Sequence, residues 1–93
     1  ARPTDIASSD DLGIEVIAYP SPFSNTFNVE ITSDYDDNVE IGLFDMNGRL
    51  LEQYENVNLY DTPTMGANLP AGMYFVSVNQ NGITKVVKIT KSN

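Results

Sequence analysis

An all-β fold follows from three observations, and an immunoglobulin-like antiparallel β-sandwich of about seven short strands is the architecture they imply. Apolar and polar residues alternate along residues 26–32, 39–43 and 73–79, the period of a strand with one buried face. Turn formers recur between these runs: Pro20 and Pro22, the Asp-rich stretch 33–38, Asn47-Gly48, the Pro63 to Pro70 region and Asn81-Gly82. No window carries a 3.6-residue period, so essentially no helix is expected.

The elements follow in order. Residues 1–13 are small and polar without periodicity, a linker that reads as the tail of whatever lies upstream, and residues 14–93 form the folded unit. Residues 14–19, with Val16 and Ile17, make a first strand. Pro20 and Pro22 stop it, because each lacks an N–H and forces its predecessor extended. Phe27, Val29 and Ile31 then share one face against Asn28 and Glu30. After the 33–38 turn, Val39, Ile41 and Leu43 resume the alternation. Residues 45–48 close a tight connection in which Asn47-Gly48 suits positive φ angles, and residues 49–54 return as the partner strand. Residues 57–60 read as a further short extended piece, and residues 62–70 as a loop or irregular edge. Tyr74, Val76 and Val78 share a face in the next strand. Asn81-Gly82 is a strong hairpin signal, and residues 83–90 pair back as the last strand.

Composition removes several classes of function. The chain has 93 residues, enough for one small domain with a thin core. Its net charge of −8 opposes nucleic acid, whose phosphates need clustered Lys and Arg, and equally opposes an anionic membrane surface. No apolar run long enough for membrane insertion occurs, and no signal peptide opens the chain, so an export signal is expected upstream or in the domain's own surface. The charge is uneven: thirteen carboxylates lie between positions 5 and 61, while Lys85, Lys88 and Lys91 stand in the final strand. Lysines in that position guard a strand edge against pairing, yet only partly, so a dimer through edge strands is conceivable. There is no cysteine and hence no disulfide framework.

Catalysis is not expected. The chain has no histidine to act as a base near neutral pH and no cysteine nucleophile, and a thin sandwich offers no deep cleft for paired carboxylates. No cofactor is implied, and the absence of His and Cys opposes zinc. Calcium needs only oxygen ligands. Asp34, Asp36 and Asn38 could take loop positions one, three and five, with Asp45 at twelve, but Val39 stands where the sharp turn requires glycine. A solvated hairpin turn is the favoured reading. Tyr19, Tyr35, Tyr54 and Tyr60 are candidate sugar platforms in a chain without tryptophan. A non-catalytic carbohydrate- or calcium-binding module of a secreted hydrolase is therefore the alternative function.

Four blocks carry a resemblance: Tyr19-Pro20-Ser21-Pro22-Phe23, Leu43-Phe44-Asp45-Met46-Asn47-Gly48-Arg49, Leu69-Pro70-Ala71-Gly72-Met73-Tyr74, and the lysine-punctuated Lys85-Val86-Val87-Lys88-Ile89. In this order and spacing the chain resembles the C-terminal sorting domain of cargo proteins of the type IX secretion system (the Por secretion system) of Bacteroidetes. The matching positions are Tyr19, Pro20, Pro22, Asp45, Gly48, Arg49, Leu69, Gly72 and Tyr74, while Ser21 stands where the family more often has Asn.

The resemblance implies a non-enzymatic address label. A precursor would pass through the periplasm, cross the outer membrane by the type IX translocon and its shuttle proteins, and reach the cell surface or the medium. A sortase-like peptidase would remove the domain and join the cargo to a surface anchor. The cut would fall in or beside the linker, with Ala7, Ser8 and Ser9 as candidates, and the last hairpin, with Lys85, Lys88 and Ile89, would be read by the translocon. Each motif residue also has a local physical role, so the blocks that hold the fold need not coincide with the surface that is recognised.

Overall fold

The alternation read from the sequence becomes two antiparallel sheets in a computed structural model that describes residues 13–93. The strands are β1 (Ile14–Tyr19), β2 (Phe27–Ser33), β3 (Val39–Phe44), β4 (Leu50–Val57), β5 (Thr64–Met65), β6 (Gly72–Gln80) and β7 (Ile83–Lys91), with no helix among the described residues. One sheet has the order β1-β2-β5 and the other β4-β3-β6-β7. This is the expected all-β sandwich, and three strands facing four describe it without the narrower immunoglobulin-like label.

The period of two decides what is buried. Phe27, Val29 and Ile31 point inward from β2, and Tyr74, Val76 and Val78 from β6, while their neighbours face out or lie half-buried. Ile14, Val16, Ile41, Leu43, Met65 and Ile89 complete the layer between the sheets. Each such side chain contributes about 1.5–3 kcal/mol when fully buried. Ile17, on the other face of β1, is 52% exposed.

Three local features differ from the sequence expectation. The piece expected at residues 57–60 is not a separate strand. Val57 ends β4 opposite Val39, because Asn56 adopts a φ of 58° within a register shift that lets the strand run on, and residues 59–60 turn. The 62–70 segment contains β5, which pairs Thr64 with Asn28 and Met65 with Phe27. In the β3–β4 hairpin only Gly48 takes positive φ (83°), not Asn47, and its N–H donates to the Asp45 carbonyl at 3.0 Å. That geometry is a turn followed by a glycine bulge and not a two-residue loop. At Asn81-Gly82 both residues take positive φ (56° and 83°), as the two-residue hairpin between Gln80 and Ile83 requires.

The strand directions give the sandwich two distinct poles. At the first, the chain enters at Gly13, whose carbonyl accepts the Asp34 N–H at 2.8 Å, so this residue of the expected linker already belongs to the folded unit. The 33–38 loop and the Asn81-Gly82 turn lie at the same pole, joined by a side-chain hydrogen bond from Asn81 to Asp37. At the opposite pole β1, β3 and β7 end and β2 and β6 begin. The rest of the expected linker, residues 1–12, lies outside the described residues.

Candidate functional site

Three of the four motif blocks meet at the pole opposite the chain's entrance, and the fourth, Lys85 to Ile89, runs toward it along the middle of β7. Pro20 to Phe23 leaves β1 and turns along the end of the edge strand β7. There the Phe23 N–H donates to the Thr90 carbonyl (2.8 Å), and the Ser92 N–H donates to the Phe23 carbonyl (2.9 Å). Ser21 adds its hydroxyl oxygen as acceptor for the Thr90 N–H at 3.3 Å. Phe23 is fully buried and packs its ring on Phe27 with centroids 4.9 Å apart. The prolines stay exposed and Tyr19 is 44% exposed. The first block therefore closes the end of an edge strand, which limits its pairing there.

Asp45 organises the second block. Its carboxylate accepts the N–H groups of Asn47 and Arg49, each at 2.9 Å, and pairs with the Arg49 guanidinium at 3.2 Å. The Arg49 N–H contributes most to holding the Asp45 carboxyl below its ordinary range. Partial burial opposes this, and the Asn47 N–H and the Arg49 charge reinforce it. In the third block Leu69 packs against the core and Tyr74 is buried. The Tyr74 hydroxyl donates to the Pro70 carbonyl. Gly72 opens β6 opposite Lys91, which joins this block to the end of β7.

The candidate recognition residues in β7 separate onto two faces. Lys85 stands opposite Val78 on the inner side and is half-buried, while Lys88 stands opposite Phe75 and is exposed. Ile89 is fully buried opposite Tyr74. It is a core residue, because its odd position in the strand puts it on the inward face, and only the two lysines offer surface to a partner. Ala7, Ser8 and Ser9 lie outside the described residues.

The calcium candidates lie on the 33–38 loop. Asp34, Asp36 and Asn38 are exposed, and the Asn38 side-chain amide donates to Asn56 at 2.9 Å. Among the described residues no group of three or more His, Cys, Asp or Glu side chains is placed to hold a metal ion. The loop is fixed instead by Gln80, which the sequence reading did not single out. Its side chain is 1% exposed, and its Oε1 accepts the Ser33 hydroxyl. Its Nε2 donates to the carbonyls of Asp37 (2.7 Å) and Tyr35 (3.3 Å). The available signal was parity, since Gln80 continues the inward series Tyr74, Val76, Val78.

Of the tyrosines named as sugar platforms, Tyr19 and Tyr60 line one open groove of about 430 Å3 beside β2, with Asn28, Glu30 and Thr32. Tyr54 lies elsewhere and donates to Glu52 at 3.0 Å, a bond that pushes its phenol above the ordinary value. The second Glu52 oxygen accepts the Gly66 N–H at 3.0 Å, joining β4 of one sheet to the chain just after β5 of the other.

A family model described as a secretion system C-terminal sorting domain matches residues 17–92, a span that contains all four blocks. No curated protein matches the chain.

Proposed function

The chain belongs to the family of secretion system C-terminal sorting domains, and from that premise we propose how its two poles divide the work of export. The domain is a type IX sorting signal: it is attached to an upstream cargo, interacts with the type IX machinery, and directs the cargo to the cell surface or the medium. Domains of this kind are not known as catalysts.

In the proposed scheme the cargo joins at the Gly13 pole and reaches the outer membrane through the periplasm. The opposite pole, where the first three motif blocks meet, points away from it. The observation that carries this division is the hydrogen bonding of Gly13 to Asp34 at one end and of Phe23 to Thr90 and Ser92 at the other. Tyr19, Pro20, Pro22, Asp45, Gly48, Arg49, Leu69, Gly72 and Tyr74 act through the fold. Shuttle and translocon proteins touch the β7 strand of the last hairpin, which runs from the cargo pole to the opposite one and where Lys85 and Lys88 supply charge. A sortase-like peptidase then cuts in residues 1–13, at or near Ala7, Ser8 and Ser9, and joins the cargo to a surface anchor.

Mass spectrometry of the domain released by a competent host tests the last step. A new N-terminus within residues 1–13 supports it, and a released species that begins inside β1 or later contradicts it.

A further inference from the structure

We propose that the outward face of the four-stranded sheet is a docking platform for a protein of the export machinery that presents an apolar strip bordered by carboxylates. The proposal rests on the sorting reading and identifies the part of the domain that the machinery grips.

Register places Leu50, Phe44, Phe75 and Lys88 side by side, one from each of β4, β3, β6 and β7. At the usual spacing of neighbouring strands this row is about 14 Å long. Leu43, Tyr74, Val76 and Ile89, next in sequence to members of the row, point into the core, so the row points out. Gly42 makes it low and flat. A Cβ there would lie 3.0 Å from the Phe44 ring and 3.4 Å from Leu50, so both side chains lie down over the bare backbone. Leu50 is 44% exposed, and Val86 beside the row is 58% exposed. Apolar and aromatic groups held on a rigid sheet lose little conformational entropy on binding, which suits them as anchors.

Charge selects the occupant. The row has Arg49 beside one end and Lys88 at the other, on a chain whose net charge is −8. Asp45 turns its carboxylate into its own hairpin, and the Arg49 side chain remains 74% exposed while sharing Nε with it. Two carboxylates share the outward face away from the row: Glu40 pairs with Asn79 four residues along β3 from Phe44, about 13 Å away, and exposed Glu55 stands five residues along β4 from Leu50. A partner with carboxylates flanking an apolar strip complements this pattern. An anionic membrane is opposed by the net charge. A second copy stacked row on row by a two-fold axis would set Arg49 of one against Lys88 of the other. The cargo enters at the other pole.

The test attaches residues 1–93 to a periplasm-targeted reporter in a host with a working type IX system. Leu50→Glu and Lys88→Glu are compared with Ile17→Ser on the other sheet and with the wild type. Circular dichroism and melting of the purified domains establish that each variant is folded. The expected result is a loss of extracellular reporter of roughly tenfold for Leu50→Glu and Lys88→Glu, and near-normal export for Ile17→Ser. Normal export of the folded Glu variants overturns the proposal. A wild-type domain that dimerises, with monomeric Glu variants, overturns it in favour of a second copy. Retention of the wild-type fusion overturns the sorting reading itself, a separate result.

Discussion

Tyr74 clasps Pro70: its hydroxyl donates to the proline's carbonyl across the turn that leads into β6, while its ring is buried opposite Ile89. Hydroxyl-to-backbone clasps of this kind are the tyrosine corners of β-sandwiches. The bond fixes how the third motif block approaches the sheet. Tyr74→Phe keeps the ring and removes the bond. Because Pro70 is exposed, its carbonyl can turn to water, so the loss stays near the net value of one hydrogen bond, about 0.5–1.5 kcal/mol. Urea unfolding should show a lower midpoint with an unchanged slope.

Gln80→Leu is expected to cost more. The amide holds three partners from a site that is 1% exposed, and its removal takes the buried acceptor from the half-buried Ser33 hydroxyl and the donor from two loop carbonyls. A polar group left without a partner costs about 1–3 kcal/mol. Amide exchange across residues 33–38 should quicken in the variant more than exchange in β6.

Two glycines separate backbone strain from steric clash. Gly48 (φ 83°) has open space where a Cβ would go, so Gly48→Ala bears only the left-handed penalty, about 1–2 kcal/mol. Gly66 (φ 90°) would set the same atom 2.9 Å from the Phe27 ring and 3.0 Å from that of Phe23. Both rings are fully buried and have little room to withdraw. Thermal melting should therefore show a clearly larger drop for Gly66→Ala than for Gly48→Ala.

Asp45 ties stability to acidity in a defined direction. Its folded pKa is lowered, first by the Arg49 N–H, so its contribution is fully present above the unfolded value of about 3.9 and is lost as pH falls through the folded value. Asp45→Asn should thus be less stable than the wild type at pH 6, and the two melting curves should converge as the pH is taken below 4. A difference that persists unchanged at low pH would assign the effect of the substitution to shape and not to charge.

Much of this fold was legible in the chain because period-two alternation and Asn-Gly turns are local signals. Residues 26–32, 39–43 and 73–79 and the Asn81-Gly82 hairpin needed nothing from elsewhere in the molecule. The misread places depend on distant partners. Residues 57–60 looked like a separate strand because nothing local reveals that Val57 faces Val39. Phe23 is buried beside a parallel bridge to Lys91, far along the chain, which no motif announces. The site was legible as a set of motif residues but not as a place. Sequence order hides that the first three blocks meet at one pole, and Ile89 was grouped with the lysines although parity puts it in the core. The row of Leu50, Phe44, Phe75 and Lys88 exists only once four strands are in register.

The most direct test of the central claim is export of a cargo that has no other reason to leave the cell. A periplasm-targeted fluorescent protein carrying residues 1–93 at its C-terminus would be followed in a type IX-competent host and in the same host lacking the translocon. A sorting domain puts the reporter outside the first host and leaves it in the periplasm of the second. Reporter that stays in the periplasm of both hosts, with the fusion intact, would contradict the claim.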